Sequence, residues 1–298
     1  MNLRLSAVPI HVPPPEPPSP IFTVTVHDAT KVFTSARSDL VALSHISLVA
    51  RPAEFLCIVG ASGCGKSTLL NLIAGLDTPT AGTVEAAGRP ALMFQDHALF
   101  PWLTVRGNVE LALRLRGVPK KQRREKASEL LRMVHLKGTG GRRPHELSGG
   151  MRQRAALARA LGCLYGDTPN PGLYGDTPNP GLYGDTPNPG DTPNPGETQV
   201  LLMDEPFGAL DAITRDVLHD ELERVWQHTG MTILFVTHNV REAVRLGDRV
   251  LVLSSRPGTV VAEFAVDLER PRRLEDPAVA GLSSVITERL RQEVRRHG

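Results

Sequence analysis

The sequence has few of the features that mark secreted, membrane-spanning or nucleic-acid-wrapping proteins. Its three cysteines, at positions 57, 64 and 163, show neither metal-ligand spacing nor an even-numbered disulfide framework, which favours a reducing, cytosolic setting. No apolar run reaches the roughly 18 residues that a membrane span needs. The 34 Lys and Arg nearly balance the 32 Asp and Glu, so bulk charge does not indicate nucleic-acid binding and we expect no nucleic-acid partner.

Proline is plentiful but unevenly placed, which separates two segments from any packed core. Of the 25 prolines, seven lie in residues 9–20 and eight in residues 169–195. We predict that residues 1–20 form a disordered, Pro-rich arm. The sequence LYGDTPNPG occurs three times over residues 164–190, and DTPNPG follows at 191–196. Each unit has too little apolar surface to order itself, so we predict that residues 164–196 form a disordered, exposed insert without a catalytic role. A binding role for the repeated tyrosines is the alternative.

The rest of the chain alternates short apolar runs with helically spaced ones, the pattern of an α/β fold. Strands are predicted at residues 21–26, 55–59, 200–203, 232–236, 250–253 and 260–266, and helical patterns follow residue 65 and cover 106–135 and 283–297. The basic run KKQRREK at 120–126 has no interleaved aromatics, so we interpret it as a solvated helix face. We expect one domain over residues 21–270, interrupted by the insert, and an Arg-rich helical tail over 271–298.

A glycine-rich sequence between a predicted strand and a predicted helix is the strongest local signal. Residues 60–67, GASGCGKS, match the phosphate-binding P-loop pattern G-x-x-x-x-G-K-[ST]. Its backbone N–H groups can surround phosphate oxygens, Lys66 can neutralise the β- and γ-phosphates, and the Ser67 hydroxyl can bind Mg²⁺. The expected ATP-binding residues are Gly60, Ala61, Ser62, Gly63, Cys64, Gly65, Lys66, Ser67 and Thr68. A helix N-terminus lowers a thiol pKa, so we expect alkylation of Cys64 to block ATP binding.

Two adjacent carboxylates follow a second apolar strand. The run Leu201–Met203 ends at Asp204 and Glu205, and ligands bind at the carboxyl ends of strands in open α/β sheets. We expect Asp204 to hold Mg²⁺ and Glu205 to polarise an attacking water. The P-loop makes this otherwise weak pattern specific.

A second anion site is predicted where a helix opens at LSGGMRQ, residues 147–153. Ser148 is a good N-cap, and Gly149 and Gly150 allow close approach of a phosphate to the helix N-terminus. Because this site lacks its own lysine, it suits a shared phosphate. A plain helix cap explains Ser148 but not the glycine pair.

LSGGMRQR resembles the signature sequence of ATP-binding cassette (ABC) ATPases, and other family motifs occur in the family's order. Gln95 resembles the Q-loop glutamine that contacts the metal and acts in catalysis, and His238 resembles the switch histidine. Asp211 ends a D-loop-like PFGALD, and Phe33 lies where the family often stacks adenine. The resemblance implies a P-loop NTPase with a RecA-like core, a small antiparallel β-subdomain and a helical signature subdomain. It also implies a dimer of cassettes, a homodimer or a paired one, with each ATP between the P-loop of one copy and the signature sequence of the other.

The segments HALFPWLTVRGNVELAL, THNVREAV and SSRPGTVVAEFAVDLERPR are similar to ATPases that import nitrate, sulfonates or taurine. The resemblance implies a subunit that binds transmembrane permease subunits at the cytoplasmic face of the membrane and serves an extracytoplasmic solute-binding protein indirectly. Trp102, in this likeness, is either a core anchor or a permease contact. The sequence does not fix the solute.

Two departures from the family pattern leave other functions open. Residues 84–93 are shorter than usual before the Q-loop, so part of the β-subdomain is expected to be trimmed. The connection at 162–199 replaces about half a dozen residues at a closure cost of about 1.6 kcal/mol. A soluble ABC ATPase without a transport role, or a cassette impaired by the insert, are the competing hypotheses.

Overall fold

A six-stranded sheet forms the centre of the molecule. The computed structural model describes residues 22–34, 38–96, 98–164, 199–208 and 210–297; the predictions for residues 1–20 and for the repeats beyond Leu164 lie outside them. The sheet order is β5-β6-β7-β3-β8-β9, parallel except for β9. Its strands are β3 (Phe55–Val59), β5 (Ala91–Met93), β6 (Val200–Asp204), β7 (Thr232–Thr237), β8 (Arg249–Leu253) and β9 (Val260–Ala265).

Strands β3, β6, β7 and β8 are buried along their whole length because both faces of the sheet are covered there. In β3, Phe55, Cys57 and Val59 join the larger core, whereas Leu56 and Ile58 join the smaller one. The larger core is covered by helices α2 (Val105–Leu115), α3 (Lys120–Met133), α4 (Gly149–Cys163), α5 (Ala212–Thr229), α6 (Val240–Leu246) and α7 (Pro277–His297).

The smaller core lies between the other face of the sheet, helix α1 (Lys66–Ile73) and a three-stranded antiparallel sheet. That second sheet has the order β2-β1-β4, from β1 (Val24–Thr34), β2 (Asp39–Ala50) and β4 (Ala81–Ala86). The expected small antiparallel β-subdomain is therefore confirmed. The first strand was predicted too early, at 21–26, because its second half alternates less cleanly and contains register shifts.

The basic stretch predicted as helical over 106–135 is two helices. Helix α2 ends at Leu115 and α3 begins at Lys120. Gly117 adopts a left-handed conformation (φ 79°) and Pro119 precedes the second helix, and these two residue types end and restart helices. Together with α4 they form the expected helical subdomain.

The C-terminal helix packs against the main body. Helix α7 begins at Pro277, six residues before the predicted start, and it buries Val279 and Ile286 in the larger core. Ahead of it, the Arg272 guanidinium donates to several backbone carbonyls, including those of Gly247 (2.6 Å) and Val266 (3.0 Å). In the part of the chain that the structure describes, no helix is both long and apolar enough to span a membrane.

Candidate nucleotide-binding and catalytic site

The candidate residues converge at one edge of the larger sheet, where three neighbouring parallel strands end. The P-loop follows β3, Asp204 ends β6, and His238 follows β7. Since β6, β7 and β3 are adjacent in the sheet, their carboxyl ends bring these groups together.

Lys66 lies inside the P-loop rather than in solvent. Its Nζ donates to the carbonyl oxygens of Gly60 (2.9 Å) and Ala61 (3.0 Å) and lies 3.9 Å from Glu205 Oε1. Ser62 and Gly63 complete the exposed turn of the loop, and Thr68 lies in the first turn of α1. The ammonium group is thus held at the centre of a loop that can surround a phosphate.

The N-terminus of α1 is open to an anion. Its N-cap is Gly65, which provides no side-chain cap, whereas side chains cap α2, α4, α5 and α6. Gly65 has φ 97°, and a Cβ there would lie 2.6 Å from Leu43 Cδ2 and 2.8 Å from the Ala42 carbonyl oxygen. Only glycine fits this turn, and the first N–H groups of α1 keep their capacity to bind phosphate oxygens.

Asp204 and Ser67 form a pair of oxygen ligands suited to Mg²⁺. Burial raises the pKa of the Asp204 carboxyl above its ordinary value, and the hydrogen bond from the Ser67 hydroxyl opposes that rise. Both side chains offer oxygen atoms, and hard oxygen donors are those that Mg²⁺ prefers. A bound cation would favour the charged carboxylate that burial disfavours.

The Glu205 carboxylate lies between the side chains of Lys66 and His238. Its Oε2 is 3.0 Å from His238 Nδ1, and its Oε1 faces Lys66. The backbone of Glu205 is left-handed (φ 45°) directly before Pro206, an unusual conformation of a kind that concentrates at functional sites. The Glu205 carboxylate thus lies beyond the end of β6 and not alongside the strand.

A buried polar network that the sequence reasoning missed supports His238. The Thr237 hydroxyl donates to Glu242 Oε2 (2.5 Å) and accepts from the Asn239 N–H (3.0 Å). Glu242 Oε1 is 2.7 Å from Nε2 of the fully buried His219. These bonds fix the strand end and the start of α6 on either side of His238. The only sequence signal was THN followed by Glu three residues later, the spacing of an N-cap.

Arg256 is a further residue that the sequence reasoning did not single out. Its Nε (3.2 Å) and Nη2 (3.1 Å) both donate to the Gly63 carbonyl of the P-loop. The neighbouring Gly258 bonds Ala42 and Ser44 through its backbone, and a Cβ there would lie 2.2 Å from the Cys64 carbonyl oxygen. The turn between β8 and β9 therefore packs directly against the outside of the P-loop.

The signature sequence packs near α5 and the loop after Glu205. The Ser148 hydroxyl accepts from the Met151 N–H (3.3 Å) and caps α4. A Cβ on Gly149 would meet nothing within 4 Å, whereas one on Gly150 would lie 3.3 Å from Thr214 of α5. Gln153 donates to the Pro206 carbonyl, which joins this helix to the loop after Glu205.

Three predicted site residues are exposed. Gln95 is exposed just beyond β5. Phe33 is exposed on the antiparallel sheet, with Lys31 Nζ 5.1 Å from its ring centroid. The Asp211 carboxylate accepts from the Thr214 N–H (2.9 Å) as the N-cap of α5. Their roles toward ATP stay predictions.

The lowered thiol pKa expected for Cys64 is not found, and the effect of alkylation on ATP binding stays a prediction. The residue is 1% exposed, and burial raises the pKa of its thiol although Lys66 acts in the opposite direction. Desolvation of the thiolate outweighs the helix N-terminus that the sequence reasoning relied on. Cys64 is a packing residue beneath the loop, 2.7 Å from where a Cβ on Gly60 would lie.

Comparisons of the sequence with known proteins all match the same family. A family model described as ABC transporter matches residues 43–164. The chain is 43% identical over 251 residues to a nitrate import ATP-binding protein of Synechocystis, covering 82% of each. It is 40% identical over 252 residues to a taurine import ATP-binding protein of Burkholderia thailandensis, covering 82% of this chain and 84% of that one. An aliphatic sulfonates import ATP-binding protein of Bacillus subtilis is 38% identical over 262 residues, covering 85% and 89%.

Two solved structures with the same architecture are dimers of one cassette. A post-hydrolysis state of the ATP-binding cassette MJ0796 bound to ADP and Pi aligns with a TM-score of 0.65 and 30% identity, over 83% of this chain and all of that one. A second dimeric structure of the same cassette, described as bacterial, aligns with a TM-score of 0.66 and 29% identity over the same shares.

Proposed function

The chain belongs to the ABC transporter ATPases, and from that premise we propose that it is the ATP-hydrolysing subunit that drives uptake of a small solute through a separate permease. It is an ATPase of the import branch of the family. The observation on which the proposal rests is the convergence of Lys66, Asp204, Glu205 and His238 around the P-loop at one edge of the sheet. Nitrate, sulfonate and taurine are the candidate solutes because the named relatives import them.

The P-loop binds the triphosphate of ATP. Lys66 exchanges its two loop carbonyls for β- and γ-phosphate oxygens, and the uncapped start of α1 adds N–H donors. Ser67 and Asp204 would hold Mg²⁺, with Gln95 as a further ligand, and the ion would neutralise phosphate charge. Phe33 stacks on the adenine from the antiparallel sheet.

Glu205 acts as the general base toward the attacking water. His238, which contacts Glu205 at 3.0 Å, keeps the carboxylate aligned and moves to the γ-phosphate when ATP is present. Holding the base and the phosphate in one geometry is the main source of acceleration in phosphoryl transfer.

Two cassettes close on ATP. Ser148, Gly149 and Gly150 of one copy cover the nucleotide in the P-loop of the other, and Asp211 lies at the same interface. The open space at Gly149 suits close approach of a phosphate to the start of α4. Because ATP contacts both copies, it favours the closed dimer over the open one.

A cluster of exposed aromatic side chains near Gln95 is the permease-binding surface. Phe94, Phe100 and Trp102 are all exposed, Trp102 by 68%, so Trp102 is not a core anchor. The buried Asn108 fixes the loop, since its Oδ1 accepts from the Phe100 N–H at 2.7 Å. Such a patch, unpartnered in the single chain, fits a membrane-embedded partner and positions the subunit at the cytoplasmic face of the membrane. A solute-binding protein acts through that permease.

The test compares the purified parent with Glu205→Gln. The parent should hydrolyse Mg-ATP, and the variant should lose about 10²–10⁴-fold in rate because its general base is gone. The variant should also form an ATP-dependent dimer by light scattering. Parent-like turnover in Glu205→Gln would refute the assigned base, and a strictly monomeric variant with ATP bound would refute the sandwich.

A further inference from the structure

Helix α7 borders the nucleotide site and forms a cleft with it. The cleft has a volume of about 340 Å³ and is lined on one side by residues 60–62 of the P-loop and by His238. The other side is one stripe of α7, with Leu290 and Val294 as its apolar members and Arg291 and Arg295 beside them. Helix α7 therefore forms one wall of the candidate nucleotide site.

The stripe is held rigidly. The opposite face of α7 buries Ile286, and Arg289 donates to the Val261 carbonyl (3.2 Å) while pairing with the buried Glu293 (3.2 Å). Val294 is nonetheless exposed. The cleft is thus a fixed, partly apolar surface with a basic rim.

A complementary feature lies at the start of α5. Ile213 is 80% exposed and Val217, one turn later, is also exposed. The N-cap Asp211 lies beside them, and so does Asp216, whose Oδ1 is 3.9 Å from Arg245 Nη1. We call Ile213 and Val217 the knob. It is apolar like the cleft, but it is bordered by carboxylates where the cleft is bordered by arginines.

The positions of knob and cleft fit a twofold dimer. Thr214, next to Ile213, lies against Gly150 of the signature sequence, whereas the cleft adjoins the P-loop. In the ATP sandwich, on which this inference rests, the signature sequence of one copy faces the P-loop of the other. Closure therefore brings the knob of each copy beside the cleft of its partner, twice per dimer.

We propose that helix α7 is part of the cassette–cassette interface and receives Ile213 of a second copy of this chain between Leu290 and Val294. Arg291 and Arg295 then face Asp211 and Asp216 of that copy. The C-terminal helix would in this way couple ATP-driven closure to a contact outside the nucleotide itself.

Cross-linking between two singly substituted chains tests the contact. All proteins carry Glu205→Gln and Cys163→Ser, so the remaining Cys57 and Cys64 are buried. Chains with Ile213→Cys are mixed with chains with Val294→Cys and treated with a short bismaleimide. The matched control uses Val285→Cys, which is 56% exposed on α7 but does not line the cleft.

We expect a covalent dimer that forms with ATP for Val294→Cys and not for Val285→Cys. An ATP-dependent dimer by light scattering without the cross-link, or with equal cross-linking of the control, would overturn the α7 contact but leave the sandwich intact. Absence of any ATP-dependent dimer would overturn the sandwich and this contact together.

A charge variant gives a second readout without cysteines. In the Glu205→Gln background, Ile213→Arg places a cation against Arg291 and Arg295, so the ATP-dependent dimer should weaken at least about tenfold. ATP binding to the monomer should not change, and Val285→Arg should dimerise like the parent. Parent-like dimerisation of Ile213→Arg would contradict the proposal.

Discussion

Adding one methyl group to Gly65 should separate ATP binding from folding. The substitution Gly65→Ala places a Cβ 2.6 Å from Leu43 Cδ2 and 2.8 Å from the Ala42 carbonyl oxygen, where ordinary contact begins at 3.4 Å. One of these neighbours is backbone, so it cannot move aside by rotation. The P-loop must shift away from the β2 strand, and the start of α1 shifts with it.

The loss of unfolding free energy in Gly65→Ala has two parts, which a control variant can separate. A left-handed conformation costs a non-glycine residue about 1–2 kcal/mol, and overpacking adds about 1–3 kcal/mol. Gly75 is also left-handed (φ 68°), but a Cβ there would meet nothing within 4 Å. Gly75→Ala should therefore lose about 1–2 kcal/mol of unfolding free energy, and Gly65→Ala about 2–5 kcal/mol.

Urea unfolding and ATP binding by calorimetry are the two assays. Gly75→Ala should bind ATP like the parent, because Gly75 lies at the far end of α1. Gly65→Ala should lose most of its affinity, because the N–H groups that bind phosphate are displaced. If the two variants lost equal stability and Gly65→Ala bound ATP normally, the close approach would not matter and the reasoning would be refuted.

Three further outcomes are expected. Burial raises the pKa of Asp204, so the folded state binds its proton more tightly than the unfolded chain does, and stability falls as pH rises through that raised pKa. In nucleotide-free protein at pH 7, Asp204→Asn should therefore be more stable than the parent by urea unfolding, and the difference should disappear at low pH. The same variant should lose Mg-ATPase activity. Arg256→Ala removes a charged donor to Gly63 worth about 1.5 kcal/mol, so the KM for ATP should rise about tenfold with kcat less affected, and Arg256→Lys should restore part of it. Deleting two repeat units, residues 173–190, should leave the ATPase rate within about twofold, because Gln199 Nε2 bonds the Leu164 carbonyl (2.8 Å) and fixes both ends of the connection.

Each of these has a contrary result. A nucleotide-free Asp204→Asn protein less stable than the parent at pH 7 would mean that the buried charge is favourable. A fall in kcat alone for Arg256→Ala would assign that residue to chemistry rather than to holding the P-loop. Loss of ATPase activity in a folded protein without residues 173–190 would give the insert a catalytic role.

Local patterns in the sequence predicted the elements that are apolar on both faces. The strand at Phe55–Val59 was predicted to the residue, since a run buried on both sides needs no partner information to be recognised. The P-loop and the pair Asp204–Glu205 were found for a similar reason, because each is one contiguous segment. Strands β2 and β4 were not predicted individually, because their alternation is irregular and part of each is exposed.

The sequence by itself determined the chemistry of the site, and the tertiary structure decided its surroundings. Contiguous motifs indicate a phosphate loop, a carboxylate pair and a histidine directly after β7. The contact of Arg256 with the P-loop spans 193 residues. The surroundings of the buried Cys64 include the distant β8–β9 turn, since a Cβ on Gly258 would lie 2.2 Å from the Cys64 carbonyl oxygen. The nearness of α7 to the P-loop likewise depends on the order of strands in the sheet. Such long-range contacts follow from how elements pack, and no local pattern records them.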